Sequence, residues 1–156
     1  MKVVIAEKPS VARDLARVMG AKETNDGYIS GNGYAFTYAF GHLVQLCTPQ
    51  AYGFHNWSIA NLPIIPSEFK LESKKIKRDG KQMDDAGALK QLNTIKYLLD
   101  KAEEVIVATD AGREGELIFR NIYYYLGSKV PFKRLWISSQ TDKAINLIED
   151  LGYYLF

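Results

Sequence analysis

Two short apolar runs constrain the fold more than any other feature of the sequence. Residues 3–6 and 104–109 are rich in β-branched side chains and lack the polar alternation of a half-exposed strand. Runs of this kind are typical of strands that are buried on both faces, as in a parallel sheet. The later run alternates with segments of helical spacing, so we expect parallel strands joined by right-handed crossovers.

The first half of the chain should contain one helix and one hairpin after the first strand. Ser10 is a good N-cap residue, and the apolar residues that follow it recur at helical spacing. Residues 28–30 and 34–40 are interpreted as two strands joined by the tight turn Gly31-Asn32-Gly33. Residues 48–83 hold three prolines and scattered aromatic side chains. They predict a long, irregular inserted loop whose first half packs against the core.

The second half should continue the alternation of helix and strand. Asp84-Asp85 is predicted to cap a long helix, and a second helix is expected over 114–126 with Leu117 facing inward. A strand at 134–137 and a helix over 141–148 follow. The predicted fold class is therefore α/β, a Rossmann-like, mostly parallel open sheet with flanking helices and a hairpin near the N-terminus.

Domain organisation and location are also predicted. Residues 1–150 are expected to form one domain, and the apolar residues 151–156 are interpreted as the start of a truncated connection to later domains. No signal peptide opens the chain, and no apolar stretch approaches the roughly 20 residues that span a bilayer. We therefore expect a cytoplasmic protein without a membrane partner.

Charge and cysteine content limit the possible functions. The net charge of +2 does not by itself indicate a nucleic-acid-binding protein, but six basic residues fall within residues 70–81. This cluster either contacts a polyanion or is simply a solvated loop. Cys47 is the single cysteine, which excludes an internal disulfide and a cysteine-based zinc cage, and we interpret it as a packing residue.

Acidic side chains follow both buried strands. Glu7 comes after the first, Asp110 comes after the second, and Glu114 lies four residues further on. In open α/β sheets ligands bind beyond the carboxyl ends of the strands, and neighbouring carboxylates repel each other unless a cation lies between them. Mg²⁺ prefers such oxygen ligands, and Lys8 and Arg113 add the positive charge that a phosphate requires. The pattern therefore favours a Mg²⁺ site facing a nucleic-acid phosphate.

Each of these residues also has a purely structural interpretation. Glu114 would be favourable in the first turn of a helix without any ligand, Asp110 could cap that helix, and Glu7 could form a surface pair with Lys8. His42 follows a strand end, where it could contact a DNA phosphate or donate to a backbone carbonyl group.

Four segments match one known family in order and spacing across nearly the whole chain. They are EKPSVA at 7–12, GHL at 41–43, LPIIP at 62–66 and ATDAGREGELI at 108–118. Together they resemble the N-terminal TOPRIM domain of type IA DNA topoisomerases, in the bacterial topoisomerase III branch. These enzymes cut one DNA strand through a tyrosine that becomes bonded to the 5′ phosphate, pass another strand through the break, and reseal it.

The resemblance implies a role for each motif residue. Glu7 corresponds to the glutamate at the scissile phosphate, which handles the proton on the 3′ oxygen. Lys8 corresponds to a lysine that steadies this phosphate, and Asp110 and Glu114 correspond to metal-binding acids. The implied cofactor is Mg²⁺, and the implied partners are single-stranded DNA and the downstream domains, which carry the nucleophilic tyrosine.

One position departs from the family pattern Asp-x-Asp-x-Glu. Gly112 stands where the second aspartate usually lies. We therefore expect Asp110 and Glu7 to hold Mg²⁺ with water in place of the missing ligand, and binding to be weaker or limited to one ion.

The sequence leaves other functions open. A free-standing TOPRIM nuclease or a primase-like phosphotransfer enzyme would use the same carboxylates. A non-catalytic module that binds single-stranded nucleic acid or partner domains would not need them. A nucleotide-binding enzyme is disfavoured, because no glycine-rich phosphate loop follows the first strand.

Overall fold

The computed structural model describes residues 1–56 and 58–135. Its strands are β1 (Lys2–Ala6), β2 (Glu23–Asn25), β3 (Tyr28–Gly31), β4 (Tyr34–Tyr38), β5 (Val44–Leu46), β6 (Leu71–Ser73), β7 (Lys75–Arg78), β8 (Lys81–Asp84), β9 (Glu104–Ala108) and β10 (Phe132–Arg134). Its α-helices are α1 (Pro9–Val18), α2 (Ala86–Leu99) and α3 (Arg113–Tyr125).

A six-stranded sheet in the order β10-β9-β1-β4-β3-β2 forms the centre of the domain. Strands β10, β9, β1 and β4 are parallel to one another, whereas β3 pairs antiparallel with β4 and β2 pairs antiparallel with β3. Ala6 at the end of β1 is level with Ala108 at the end of β9. The residues that follow these two strands therefore emerge at one edge of the sheet, which we call the carboxyl edge.

The alternation of side chains along β1 divides the core between the two faces of the sheet. Val3 and Ile5 pack with buried residues of α2 and α3, whereas Val4 and Ala6 pack with buried residues of α1. Because both faces of β1 are covered, none of its side chains needs to be polar, which explains the continuous apolar run. The predicted fold class is confirmed, with helices on both faces of a mostly parallel sheet.

The predicted hairpin is also confirmed. Strands β3 and β4 pair antiparallel, with Gly31 opposite Tyr34. The two residues between them, Asn32 and Gly33, have φ values of 52° and 81°. Positive φ at both loop positions characterises the turn that matches the twist of a two-residue hairpin, and Asn-Gly is its preferred pair.

Two details of the helices differ from the predictions. Helix α1 begins at Pro9 with Lys8 as its N-cap, so the prediction of Ser10 as the cap was wrong. Proline is tolerated at the first helical position, where its missing N–H has no intrahelical partner in any case. Leu117 is 47% exposed, so its predicted inward position in α3 was also wrong. The buried positions of α3 follow the spacing 115, 118, 119, 122 and 123, which excludes position 117.

The segment 48–83 is more ordered than its sequence suggested. It contains two short 3-10 helices, Pro49–Tyr52 and Ile59–Asn61, and its second half contains β6, β7 and most of β8. The expectation that its first half packs against the core was wrong, because no described residue between 48 and 66 is buried. Sequence reasoning missed its strands for two reasons. Strand β6 pairs with β5, which is distant in the sequence, and β7 and β8 pair with each other in a mostly polar hairpin.

Several predictions lie outside the described residues. They concern Trp57, the end of the strand predicted at 134–137, the helix over 141–148 and the apolar tail 151–156. Within the described part of the chain, none of the helices combines the length and the apolar character needed to cross a membrane.

Candidate functional site

The two strand-end carboxylates lie next to each other at the carboxyl edge. Glu7 follows β1 directly, and Asp110 lies two residues beyond the end of β9. The backbone N–H of Asp110 donates a 3.0 Å hydrogen bond to Oε2 of Glu7. Lys8 Nζ lies 4.0 Å from Oδ2 of Asp110, and both side chains are more than half exposed. Two carboxylates and one cation therefore share an accessible edge of the sheet.

Buried and partly buried hydrogen bonds hold the loop that presents Asp110 in place. We call residues 109–112 the Asp110 loop. Thr109 is buried, and its hydroxyl group donates to the carbonyl oxygen of Gly115 at 2.8 Å. Nη1 of Arg134 donates to the carbonyl oxygen of Thr109 at 3.2 Å. The loop is thus fastened both to the following helix and to the neighbouring strand β10.

Gly115 allows α3 to start directly behind this loop. A Cβ atom at position 115 would lie 2.2 Å from the carbonyl oxygen of Asp110 and 2.9 Å from its nitrogen. Because both obstacles are backbone atoms, a larger residue could be accommodated only if the loop moved. Sequence reasoning missed this role, although a glycine in the first turn of a helix is a signal, since it lowers helix propensity.

An ion network beside the loop was also missed. Glu116 accepts hydrogen bonds from Arg134 and from Nε of Arg120, the latter at 2.6 Å. Partial burial raises the pKa of the Glu116 carboxyl group, but the hydrogen bonds and charges of the two arginines outweigh it, so the pKa lies below its ordinary value. Arg134 therefore joins a charged group on α3 to the backbone of the Asp110 loop.

Glu114 and His42 form a separate pair. Nε2 of His42 lies 2.5 Å from Oε1 of Glu114, although the two residues are 72 positions apart in the sequence. Among the described residues, no group of three acidic, histidine or cysteine side chains is arranged to hold a metal ion. The structure therefore brings Glu7 and Asp110 together, while the carboxylate of Glu114 is engaged by His42.

Two helices begin at the carboxyl edge without a capping side chain. Lys8 is the N-cap of α1 and Gly112 is the N-cap of α3, and neither cap residue makes a side-chain cap hydrogen bond. Arg113 is exposed at the first position of α3. The first N–H groups of a helix and its dipole favour an anion at this end, so the edge is suited to a phosphate.

The donor set of this edge fits Mg²⁺. Mg²⁺ in phosphoryl-transfer sites is usually bound through one or two carboxylates and retains several waters. Glu7 and Asp110 supply two carboxylates, and nothing lies within 4 Å of the position that a Cβ atom would take at Gly112. The space beside Asp110 therefore accommodates water or a further ligand.

The chain is similar to several known proteins. Residues 2–140 match the family model described as Toprim domain. The chain is 47% identical over 148 residues to a protein named DNA topoisomerase 3 from Shouchella clausii (strain KSM-K16), and 48% identical over 147 residues to one of the same name from Bacillus subtilis (strain 168). Each match covers 92% of this chain and 19% of the relative, so the chain spans about a fifth of the length of these curated relatives.

A solved structure has a similar fold. It is that of full-length topoisomerase I from Thermotoga maritima, which matches with a TM-score of 0.56 and 20% sequence identity. The match covers 98% of this chain and 21% of the other. At this identity the likeness supports the fold alone.

Proposed function

Since this chain belongs to the Toprim domain family, we propose that it is the Toprim domain of a type IA DNA topoisomerase of the topoisomerase 3 kind. In that role it binds Mg²⁺ and the scissile phosphate of single-stranded DNA during cleavage and religation. The names of the relatives support this proposal, and so does the share of their length that the chain covers. The proposal also places the protein in the cytoplasm, where bacterial DNA lies.

The observation that carries the proposal is the hydrogen bond between the Asp110 backbone and Glu7, with Lys8 beside them. It holds the Glu7 carboxyl group at the end of β1, where it can give a proton to the 3′ oxygen when the strand is cut and take that proton back when the strand is resealed. Lys8 offsets the negative charge of Asp110, and Arg113 attracts the phosphate to the start of α3. When bound, Mg²⁺ would be held by Glu7 and Asp110 and would supply positive charge to the phosphate oxygens.

The pair formed by His42 and Glu114 has a defined place in this proposal. In the structure the imidazole of His42 is engaged by Glu114. A phosphate contact by His42 therefore requires the imidazole to be shared with, or released from, that carboxylate. His42 contacts Glu114 through Oε1. Because no cluster of three acidic or histidine ligands is present among the described residues, Glu114 joins the metal-binding set only if its side chain turns towards Glu7 and Asp110.

The proposed enzyme needs domains beyond this chain. The resemblance assigns the nucleophilic tyrosine to a later domain, and the chain spans only about a fifth of its relatives. We therefore propose that its partners are those further domains together with single-stranded DNA. The isolated chain is expected to bind the strand and the metal without cutting.

Titration of the isolated chain with Mg²⁺ by isothermal calorimetry tests the metal site. We expect one weak site, which is lost when Asp110→Asn removes the exposed carboxylate without changing its shape. The matched control is Asp100→Asn at the C-cap of α2, near the opposite edge of the sheet, and it should bind as the unmodified chain does. Two tight sites, or equal binding by both variants, would contradict the proposal.

Incubation of the chain with single-stranded DNA and Mg²⁺ distinguishes the alternatives. Robust cutting that Asp110→Ala abolishes would favour a free-standing Toprim nuclease. In the full-length protein, Glu7→Gln should abolish DNA relaxation, because the group that moves the proton is gone. Full relaxation by that variant would favour a non-catalytic binding module.

A further inference from the structure

Strands β7 and β8 form a two-stranded ribbon that stands apart from the central sheet. We call residues 75–84 the ribbon. Its two strands pair only with each other among the described strands, and all of their residues except Lys75 are exposed. Asp79 and Gly80 form the turn at its tip. The ribbon therefore contributes little to the core, and its sequence is not explained by packing.

The base of the ribbon is fastened beside the candidate site. The backbone N–H of Lys74 donates to the carbonyl oxygen of Leu43 at 2.9 Å, and that of Asp85 donates to the carbonyl oxygen of Lys74 at 2.9 Å. Leu43 directly follows His42, whose imidazole contacts Glu114 at the start of α3. A DNA strand bound at the carboxyl edge consequently has the ribbon as a neighbour.

The cations of the ribbon are paired at its base and unpaired towards its tip. Lys75 lies 2.6 Å from Oδ1 of Asp84, a hydrogen bond that raises the pKa of Lys75 and lowers the pKa of Asp84. Within the described part of the chain, Lys77, Arg78 and Lys81 have no acidic side chain in salt-bridge contact. Unpaired cations on an exposed ribbon suit a polyanion, because binding them releases the counterions of its phosphates.

One face of the ribbon combines these cations with apolar side chains. The register places Ile76 opposite Met83 and Arg78 opposite Lys81, so all four side chains share a face. Ile76 is 39% exposed and Met83 is 47% exposed. Duplex DNA hides the faces of its bases in the stack, whereas a single strand offers them to apolar side chains. The mixture on this face therefore suits a single strand better than a duplex.

We propose that the ribbon is a second binding surface for single-stranded DNA. Arg78 and Lys81 contact phosphates, and Ile76 and Met83 pack against the unstacked bases of the strand that passes the carboxyl edge. This inference rests on the proposed function only in taking that edge to bind the same strand.

The salt dependence of binding to a labelled single-stranded oligonucleotide tests the surface. In the full chain, Lys77→Gln, Arg78→Gln and Lys81→Gln together should lower the slope of log affinity against log salt by about 1.4, since the two phosphate contacts that are lost, those of Arg78 and Lys81, each remove roughly 0.7. The control removes the same charge near the opposite edge of the sheet through Lys96→Gln, Lys101→Gln and Lys129→Gln. It should leave the slope nearly unchanged, and equal slopes for the two triple variants would overturn the proposal.

A second variant tests the kind of DNA. Ile76→Ser with Met83→Ser should weaken binding of the single strand roughly fivefold and leave the salt slope unchanged, because it removes apolar contact without charge. Binding of a duplex of the same length should not respond. A loss of equal size for the duplex would overturn the assignment to a single strand.

The failure of this proposal can be distinguished from failure of the proposed function. If both ribbon variants bind normally and Lys8→Gln binds more weakly, the ribbon is excluded as a binding surface and the site at the carboxyl edge is retained. If only the ribbon variants bind more weakly, the phosphate contact at the carboxyl edge is excluded and the ribbon remains as the binding surface. A chain that binds no single strand at all would overturn both.

Discussion

The Asp110 loop and the ribbon both offer charged side chains near the carboxyl edge, but they are held in opposite ways. The loop is fastened by the buried hydroxyl group of Thr109 and by Arg134 from the neighbouring strand. The ribbon is tied to the domain mainly at its base and is otherwise exposed. We therefore expect the loop to unfold only together with the core, whereas the ribbon can unfold locally.

This difference matches the role that we propose for each region. A carboxylate that holds a metal or moves a proton must stay within a fraction of an ångström of its working position, which requires support from beneath. A surface that follows a flexible DNA strand gains from adapting to it, and its phosphate contacts tolerate displacement. In the proposed function, the chemistry would lie on a rigid loop and the additional strand contacts on a loosely held ribbon.

The largest effect should come from filling the space behind the loop. Gly115→Ala places a Cβ atom against the backbone of Asp110, so we expect the free energy of unfolding to fall by about 3 kcal/mol. Gly112→Ala is the matched control, because the same methyl group meets nothing there. Denaturant titration of both variants measures the difference. Similar stability of the two would show that the loop is as compliant as the ribbon.

A smaller loss is expected when the contact from β10 is removed. Arg134→Met keeps much of the side-chain length but removes the hydrogen bonds to the Thr109 carbonyl oxygen and to Glu116, which retains Arg120, and this should cost about 2 kcal/mol. Lys133→Met on the same strand breaks a 2.7 Å pair with Glu104 whose lysine is more exposed. It should cost less than half as much. Equal losses in denaturant unfolding would remove Arg134 from the support of the loop.

Much of the rigid region could be predicted from the sequence, because its signals are local or follow from strand order. Continuous apolar runs predicted parallel strands, and parallel strands bring the residues after their ends to one edge, which placed Glu7 beside Asp110. Asn32-Gly33 predicted its turn, and Asp85 was rightly taken as a cap of α2. The roles of the site residues themselves stay predictions.

The rest depended on contacts between distant parts of the chain. The pairing of His42 with Glu114 spans 72 residues, and the bond from Arg134 to Thr109 spans 25. No periodicity in the sequence encodes such pairs. The ribbon was taken for irregular chain because each of its strands carries a single apolar residue, Ile76 or Met83, which is too few for the alternation that indicates a half-buried strand.

Substitutions at Gly112 test the proposed metal site on the rigid loop. Gly112→Asp restores a third acidic side chain beside Asp110, where the backbone is extended and the space is open. An added charge about 4 Å from a divalent ion should tighten Mg²⁺ binding on the order of tenfold after screening by salt. Gly112→Asn has the same shape without the charge, and calorimetry should show no such gain for it. An equal gain from Asn would mean that shape and not charge limits the site.

The smallest effect concerns the pH dependence of the two regions. The pKa values of Glu116 beside the loop and of Asp84 at the base of the ribbon are both lowered. Each carboxylate therefore stabilises the folded state at neutral pH. This stabilisation is lost as the pH falls below the ordinary pKa of the group, which is 4.5 for Glu116. Glu116→Gln should lower global stability at pH 7, and its difference from the unmodified chain should shrink below about pH 4.5. Asp84→Asn should instead accelerate amide hydrogen exchange within the ribbon and leave the global unfolding profile in place. A shift of global unfolding by Asp84→Asn as large as that by Glu116→Gln would show that the ribbon opens together with the core.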